Sequence, residues 1–311
     1  MRRIFLLILC ACAVLFGFEA CTHTEKEKPD MYVNTKPAPD VDSIADIRYK
    51  SVGDSALRLT IYSLKNDTAS HRPVLVYIHG GSWVHGNKSW IWSHYQQALT
   101  ETFLRAHYAV IAIDYRLADG WRKDAFTELS DCRDALIWIS RNAGKYHLDI
   151  RRIGLWGTSA GAHLALLIGS DSGSPVPIRF ILDDYGPTNL NSLFHTELPA
   201  FIVSLVKIVK PDLVEKRKLM LRVFPDDSPQ RLSPVNRIHK GMPPILISHG
   251  DNDETVPVKQ AYELEEHLKA VQVPYRLRIY PGEKHGLYTL TKSQVSDMAR
   301  YALVFANHYN R

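Results

Sequence analysis

Cysteine is scarce in this chain, with four residues among 311. Two of them, Cys10 and Cys12, lie in an apolar segment at the amino terminus. So few cysteines exclude a small disulfide-rich scaffold. Cys132 lies in the helix-like stretch LSDCRDALIWI, where we expect a buried, hydrophobic role. Cysteine and histidine form no cluster with the spacing of a metal site, so we expect no bound metal.

A strong charge of one sign is absent as well. The formal net charge is +5 at pH 7, and acidic and basic residues alternate without a long block of lysine or arginine. We therefore expect no nucleic-acid partner. Hydrophobic residues make up 45% of the chain, which is enough to bury the core of a large globular domain.

The longest apolar run, residues 4–18, is too short to cross a membrane as a helix. It follows two arginines and ends before Glu19, which predicts a secretory signal peptide over residues 1–20 and an exported protein. The pair Ala20-Cys21 resembles the junction of bacterial lipoproteins. A lipidated Cys21 would attach the protein to a membrane, as a periplasmic or outer-membrane lipoprotein. Cleavage without lipid, which gives a periplasmic or secreted protein, and an uncleaved anchor are the alternatives.

The segment that follows is polar and punctuated by prolines. Over residues 21–45 this composition predicts a flexible tether. From about Asp46 to residue 311 the sequence indicates one folded domain, without internal repeats. Its oligomeric state is left open by the sequence.

Apolar runs alternate with amphipathic stretches through this domain. The alternation predicts an α/β fold with a mostly parallel sheet covered by helices on both faces. The predicted strands are residues 57–63, 73–79, 108–116, 152–157, 179–186, 244–250 and 275–282. The predicted helices are residues 93–106, 125–143, 160–168, 258–270 and 293–308.

One interval, about residues 190–235, has helical periodicity without a strand. We predict a helical cap inserted over the carboxyl edge of the sheet, where ligands bind in open α/β sheets. The alternative is a helical decoration that does not contact the ligand.

The stretch LWGTSAGAHLA places Ser159 between two glycines, at a predicted strand-to-helix turn. The spacing G-x-S-x-G is that of a nucleophile elbow, in which the serine is held in strained backbone geometry. A serine becomes a nucleophile only with a base in hydrogen-bond reach and donors for the oxyanion. Alone, the motif fits a tight turn equally well.

Glycines also follow the predicted strand at 73–79. In HGGSWVHG, backbone N–H groups can approach a ligand closely, as in an oxyanion hole. We predict that the donors are the N–H groups of Gly81, Ser82 and Ala160, each contributing on the order of 3 kcal/mol to transition-state stabilisation. Trp83 is the predicted substrate-binding aromatic residue, with packing in the core as its alternative.

Two further strands end in residues that would complete a catalytic triad. The stretch ILISHGDNDETVP offers two acids, Asp251 and Asp253, and YPGEKHGL places His285 after the last strand. His285 would accept the serine proton, and an aspartate would fix its tautomer. Together, three elements of one mechanism follow three separate strands.

These motifs resemble those of a known family. HGGSW, DYR, GTSAGAHLA, DYGPTNL, HGDNDETVP and GEKHG are similar to the esterase branch of the α/β-hydrolases, which includes hormone-sensitive-lipase-like esterases and, more closely, bacterial acetyl xylan and feruloyl esterases. The resemblance extends from about Ile47 to the end of the chain. It implies the triad Ser159, Asp253 and His285, because the family pattern H-G-x-x-D-x-x-V-P places the acid at Asp253. Ser82 departs from the common HGGG form, although its backbone N–H can still donate.

The resemblance also implies a serine carboxylesterase that requires no cofactor. Its expected substrate is a small ester or an acylated saccharide, such as acetyl or feruloyl groups on plant cell-wall polysaccharide. The alternatives are an amidase of the kynurenine formamidase type, a prolyl-oligopeptidase-like peptidase, and a binding protein without catalysis. Rates on ester and formamide substrates distinguish the esterase from the amidase. The absence of a propeller-sized amino-terminal domain counts against the peptidase. The presence of all three triad residues counts against a binding protein without catalysis.

Overall fold

An eight-stranded sheet organises the chain. The computed structural model describes residues 36–118, 124–194, 223–224 and 228–311. The strands are β1 (Val41–Val52), β2 (Ser55–Leu64), β3 (Arg72–Ile78), β4 (Ala109–Ile113), β5 (Leu148–Thr158), β6 (Ile178–Asp184), β7 (Ile245–Gly250) and β8 (Tyr275–Tyr280). They lie in the order β1-β2-β4-β3-β5-β6-β7-β8. The pairs β1–β2 and β2–β4 are antiparallel and the other five are parallel, which confirms the mostly parallel sheet.

The central strands are buried on both faces, as their continuous apolar runs predict. Every residue of β4 and β7 is buried. In β3 the side chains alternate, so that Val76 joins one core cluster and its neighbour Tyr77 joins the other. Because the strands from β3 to β8 are parallel, the loops after β3, β5, β7 and β8 emerge at the same edge of the sheet.

Helices cover both faces of the sheet. They are α1 (His94–Arg105), α2 (Ala125–Asn142), α3 (Ala160–Gly169), α4 (Leu190–Phe194), α5 (Ser228–Leu232), α6 (Lys259–Ala270) and α7 (Lys292–Tyr309). Helices α2, α3 and α6 contribute to the core on one face, and α1 and α7 to the core on the other. All five predicted helices are present. Within the described ranges, none of the helices combines the length and the apolar character needed to cross a membrane.

The chain joins the sheet earlier than the sequence predicts. The tether predicted over residues 21–45 is wrong at its carboxyl end, because β1 begins at Val41, where it pairs with Leu64 of β2. Most side chains of β1 are exposed, so this edge strand shows no clear apolar pattern. Backbone hydrogen bonds to β2 hold it, together with Ile47 and Tyr49, which pack against the core. The predicted signal peptide over 1–20, Cys21 and the tether as far as residue 35 lie outside the described residues.

The predicted helical cap lies mostly outside the described residues, since 195–222 and 225–227 are not among them. Its two ends are described: α4 opens the interval, and Val223, Phe224 and α5 close it. Val223 and Phe224 are both buried in the core cluster on the face of the sheet that α2, α3 and α6 cover. The insertion therefore begins and ends packed against the domain.

Buried hydrogen bonds tie the start of this insertion to its end. The backbone N–H of Leu190 donates to Oγ of Ser233 at 2.8 Å, and the N–H of Val235 donates to the carbonyl oxygen of Thr188 at 3.1 Å. Oε1 of Gln260, on α6, accepts the N–H of Thr188 at 2.8 Å. The chain thus leaves and re-enters the domain at one fixed point.

Candidate active site

Ser159 lies in the sharp turn between β5 and α3. Its φ of 52° and ψ of −118° place a non-glycine residue in a rarely populated region, with a cost on the order of 1–3 kcal/mol. The turn is held because the N–H of Ser159 donates to the carbonyl oxygen of Asp184 on β6 at 2.9 Å. A Cβ at Gly161 would overlap the carbonyl oxygen of Ile78, so only glycine fits there. The geometry is that of a nucleophile elbow.

The structure brings Ser159, His285 and Asp253 into one line. Oγ of Ser159 lies 2.9 Å from Nε2 of His285, and Nδ1 of the same ring lies 2.7 Å from Oδ2 of Asp253. These residues follow β5, β8 and β7, which end at the same sheet edge. The three predicted triad residues are therefore within hydrogen-bond reach of one another.

Asp253 is fixed on both of its oxygens. Oδ1 accepts the N–H groups of Thr255 at 2.9 Å and Val256 at 2.8 Å, which leaves Oδ2 for the imidazole. Burial alone would raise the pKa of Asp253, but hydrogen bonds from His249 and His285 outweigh it and hold that pKa far below its ordinary value. The acid is thus ionised at neutral pH.

Asp251, the other candidate acid, points elsewhere. Its Oδ1 accepts the N–H of Gly282 at 2.6 Å, and the side chain is exposed. This bond ties the turn after β7 to the turn after β8. The structure therefore gives Asp251 a place in loop support and brings Asp253 to the imidazole.

The predicted oxyanion loop follows β3 in an unusual conformation. Gly81, Ser82 and Trp83 have consecutive positive φ angles of 116°, 51° and 64°. A Cβ built on Gly80 would lie 3.3 Å from Cβ of Ser159, so the loop is in contact with the elbow. The N–H groups of Gly81, Ser82 and Ala160 find no acceptor among the residues that the structure describes. They remain available as donors.

Trp83 is buried in the structure, with 2% of its surface exposed. Its indole N–H donates to Nδ1 of His163 at 3.3 Å, and its ring packs edge-on against Phe224 at a centroid distance of 4.7 Å. These contacts are those of a packing residue beneath the site. Contact between Trp83 and a substrate stays a prediction.

The sequence does not predict two residues that support the triad, although both lie in the motifs HGDNDETVP and GEKHG. His249 is buried on β7, where Nε2 lies 2.8 Å from the carbonyl oxygen of Val256 and 3.4 Å from Oδ2 of Asp253. Glu283 is buried beside the histidine loop and accepts the hydroxyl of Thr289 at 2.5 Å. A histidine that directly follows an apolar run in a buried strand, as in ILISHG, is the pattern that identifies His249.

A tyrosine and a buried acid lie behind His285. The ring of Tyr185 meets that of His285 nearly perpendicularly, with centroids 5.0 Å apart. Its hydroxyl lies 3.0 Å from that of Tyr95, which donates to Oδ2 of Asp184 at 2.9 Å. These hydroxyl contacts position the ring of Tyr185, which packs against the ring of His285.

Asp183, the neighbour of Asp184, is completely enclosed by the protein. Burial raises the pKa of Asp183 to about 7, and it raises that of Asp184 to about 6 against the hydrogen bonds of Trp156 and Tyr95. Oδ1 of Asp183 accepts the N–H of Gly186 at 3.0 Å. The fold therefore carries a carboxyl group that gains a proton on folding under mildly acidic conditions.

Asp183→Asn is expected to stabilise the protein most at high pH. The buried carboxyl lowers wild-type stability as pH rises from its unfolded value of 3.8 towards about 7, because the unfolded chain there binds fewer protons. Asparagine does not titrate and can still accept the Gly186 N–H. The difference in unfolding free energy, variant minus wild type, should rise by up to roughly 1.4 kcal/mol for each pH unit between these two values. Urea unfolding at about pH 5 and pH 8 measures this, and a difference independent of pH contradicts it.

The assembled groups are suited to acyl transfer. A hydroxyl lies beside an imidazole whose other nitrogen faces an ionised carboxylate. At the start of α3 and in the loop after β3 lie N–H groups that have no acceptor among the described residues. Such donors stabilise the oxyanion that forms when a carbonyl is attacked. In the described part of the chain, no group of three His, Cys, Asp or Glu side chains is placed to hold a metal ion.

Comparisons with known proteins identify a matching family model and several relatives. The family model described as BD-FAE matches residues 59–268, more than half of the chain. Esterase LipC of Mycobacterium tuberculosis is 28% identical over 83% of this chain and 64% of its own length. The probable carboxylic ester hydrolase LipM of the same organism is 27% identical over 73% of this chain and 52% of its own. The chain thus spans between half and two thirds of these relatives.

A solved structure of another protein has the same fold. A truncated form of a carbohydrate esterase from gut microbiota superposes with a TM-score of 0.68 at 22% identity, over 88% of this chain and all of that one. At this identity the likeness shows the fold alone.

Proposed function

Because the chain belongs to the BD-FAE family of α/β-hydrolases, we propose that it is a serine carboxylesterase. The observation that carries the proposal is the line of hydrogen bonds from Ser159 through His285 to Asp253, with separations of 2.9 and 2.7 Å. A base within this reach is what a serine needs to act as a nucleophile near neutral pH. The relatives LipC and LipM are both named as ester hydrolases, which supports the same activity.

The first half-reaction transfers the acyl group to the enzyme. Oγ of Ser159 attacks the ester carbonyl carbon as Nε2 of His285 takes the hydroxyl proton. The carbonyl oxygen gains negative charge and accepts the N–H groups of the loop at Gly81 and Ser82 and that of Ala160. When the carbon–oxygen bond to the alcohol breaks, His285 returns the proton to the leaving oxygen.

The second half-reaction repeats these steps with water. His285 takes a proton from water as the water oxygen attacks the acyl carbon. The bond between that carbon and Oγ of Ser159 then breaks as His285 returns the proton to Oγ, and the carboxylic acid is released. Asp253 keeps the Nδ1 proton of the imidazole in place and stabilises the imidazolium that forms twice in the cycle. Its ionised state follows from the hydrogen bonds that lower its pKa.

For the substrate, we propose an acetyl or feruloyl ester on plant cell-wall polysaccharide. The motif resemblance supports this class, and so does the name of the carbohydrate esterase that shares the fold. The export expected from residues 1–20 would bring the protein to polymers outside the cell. Amide cleavage by the same triad receives less support. LipC and LipM are named as ester hydrolases, although the acylamino-acid-releasing enzyme of Mus musculus is also similar, with 26% identity over 81% of this chain.

A substrate panel tests both levels of the proposal. We expect acetylated xylan or feruloylated arabinose to be hydrolysed with a kcat/KM at least about tenfold higher than a matched formamide, about 1.4 kcal/mol of transition-state binding. Simple esters of increasing acyl length define the acyl pocket in the same assay. Hydrolysis of simple esters but no acylated saccharide would contradict the substrate, and faster formamide cleavage would contradict the esterase itself.

A further inference from the structure

A buried histidine connects the oxyanion loop to the helix that begins after the nucleophile. His163 lies one turn beyond Ser159 on α3, with no exposed surface, and its N–H donates to the carbonyl oxygen of Ser159 at 3.1 Å. Its ring reaches in two other directions. Nδ1 lies 3.3 Å from Nε1 of Trp83, and Nε2 lies 2.8 Å from the carbonyl oxygen of Leu232.

These two partners fix where the ring proton lies. An indole N–H can only donate, so Nδ1 of His163 must accept the bond from Trp83. A backbone carbonyl can only accept, so Nε2 must carry the hydrogen that points to Leu232. A neutral imidazole satisfies both bonds, and burial agrees with this state because it lowers the pKa of His163 to about 4.

The loop that Trp83 belongs to needs external support. Ser82 and Trp83 are non-glycine residues with positive φ, a conformation that side chains disfavour. On its backbone, Trp83 accepts the N–H of Ala118 at 2.8 Å. On its side chain, the indole N–H is held by His163. These contacts keep the chain in the conformation in which the Gly81 and Ser82 N–H groups have no acceptor within the described part of the chain.

The same histidine lies in a small aromatic cluster with parts of the insertion. We call Trp83, His163, Phe194 and Phe224 the aromatic junction. Phe224 packs edge-on against both Trp83 and His163, with centroid distances of 4.7 and 5.8 Å, and at 5.4 Å from Phe194. Phe194 and Phe224 come from the two ends of the insertion. The junction therefore joins the oxyanion loop, the nucleophile helix and the insertion.

We propose that His163 is a positioning residue for the oxyanion hole, and this rests on the proposed esterase activity. Through its bond to the indole of Trp83, it fixes the loop that carries the Gly81 and Ser82 donors relative to Ser159. Its second bond, to Leu232, holds the ring in place and links it to the helix that closes the insertion. His163 does not contact the reacting atoms or exchange protons in the cycle.

Two substitutions separate the bonds of His163. In His163→Asn, the side-chain oxygen can take the place of Nδ1 and still accept from Trp83, while the bond to Leu232 is lost. In His163→Gln, the amide can reach Leu232 from the position of Nε2, while the acceptor for Trp83 is lost. Trp83→Phe removes the same indole bond from its other end and keeps an aromatic ring in the cluster.

The measurements are kcat and KM on a short-chain ester, with competent sites counted by titration with an organophosphonate. We expect His163→Gln and Trp83→Phe each to lower kcat per site on the order of 10- to 100-fold with KM within about twofold, as loss of oxyanion stabilisation does. His163→Asn should retain at least about ten times the kcat of His163→Gln. Combining Trp83→Phe with His163→Gln should cost little more than either alone, because both remove one interaction.

Thermal unfolding of the same variants distinguishes positioning from stability. A purely structural His163 would lower the melting temperature of the Asn and Gln variants alike and leave kcat per titrated site unchanged; that result overturns the proposal. So does an Asn variant as impaired as the Gln variant, and Trp83→Phe decides the case if His163→Gln does not fold. A wild-type protein that hydrolyses no ester overturns the esterase activity itself, which is a separate outcome.

Discussion

Ser159→Ala is expected to lower kcat/KM on an ester substrate by about 10⁴-fold or more, since the triad acts as a unit and the rest of the site supplies only residual catalysis. The alanine removes the oxygen that lies 2.9 Å from His285 and leaves the elbow in place. Initial rates on a short-chain activated ester measure the loss. Labelling by an organophosphonate, detected as a mass increase of the intact protein, should disappear in the same variant.

Ser170→Ala is the matched control for this substitution. Ser170 lies at the other end of α3, where its hydroxyl donates to the carbonyl oxygen of Leu167 at 2.9 Å. It lies away from the reacting groups, so its rate should stay within about threefold of wild type while the lost hydrogen bond costs about 1 kcal/mol of stability. Equal rates for wild type and Ser159→Ala would exclude Ser159 as the nucleophile.

Asp253→Asn is expected to lower kcat by about 10⁴-fold, because it forces the wrong tautomer on His285. The N–H groups of Thr255 and Val256 would hold the amide oxygen in the place of Oδ1. The NH₂ group then takes the place of Oδ2 and donates to Nδ1 of the imidazole. The ring proton moves to Nε2, which can no longer accept the hydrogen of Ser159. Steady-state rates near neutral pH give the size of the loss.

Asp251→Asn provides the control for the acid. The side-chain oxygen of asparagine can accept the Gly282 N–H as the aspartate does, so the turn keeps its bond. Its rate should stay within about threefold of wild type, because the side chain makes no contact with the imidazole in the described structure. The reverse result, with Asp251→Asn inactive and Asp253→Asn active, would show that the assignment of the acid is wrong.

Much of the sheet can be predicted from the sequence because parallel strands that are buried on both faces are rich in apolar residues. β4 is wholly apolar, and β3 and β7 each contain an apolar run, so these strands also indicate where the loops at the carboxyl edge begin. Ser159 and His285 are predicted from their motifs and from their order along the chain. The choice of Asp253 came from the resemblance, and the structure places it at the imidazole.

The remaining features depend on contacts that no local pattern records. β1 is held through its backbone at the sheet edge, so its exposed side chains carry no periodicity. The bond between Trp83 and His163 joins residues 80 positions apart, and each of them alone looks like an ordinary core residue. The chain from Tyr185 through Tyr95 to Asp184 likewise forms only when α1 packs against the sheet.

The hydrogen bonds that tie the start of the insertion to its end affect how the sequence of this chain can change in evolution. Hydrogen bonds such as the one from the N–H of Leu190 to Oγ of Ser233 hold the two ends of the insertion together. The insertion therefore leaves and re-enters the domain at one site, between the strands that precede Ser159 and Asp253. The part of the insertion between its two ends can be lengthened, shortened or replaced by another segment, provided that Phe224 and the carbonyl oxygen of Leu232 keep their contacts. Selectivity for the substrate can then evolve while Ser159, His285 and Asp253 keep their positions.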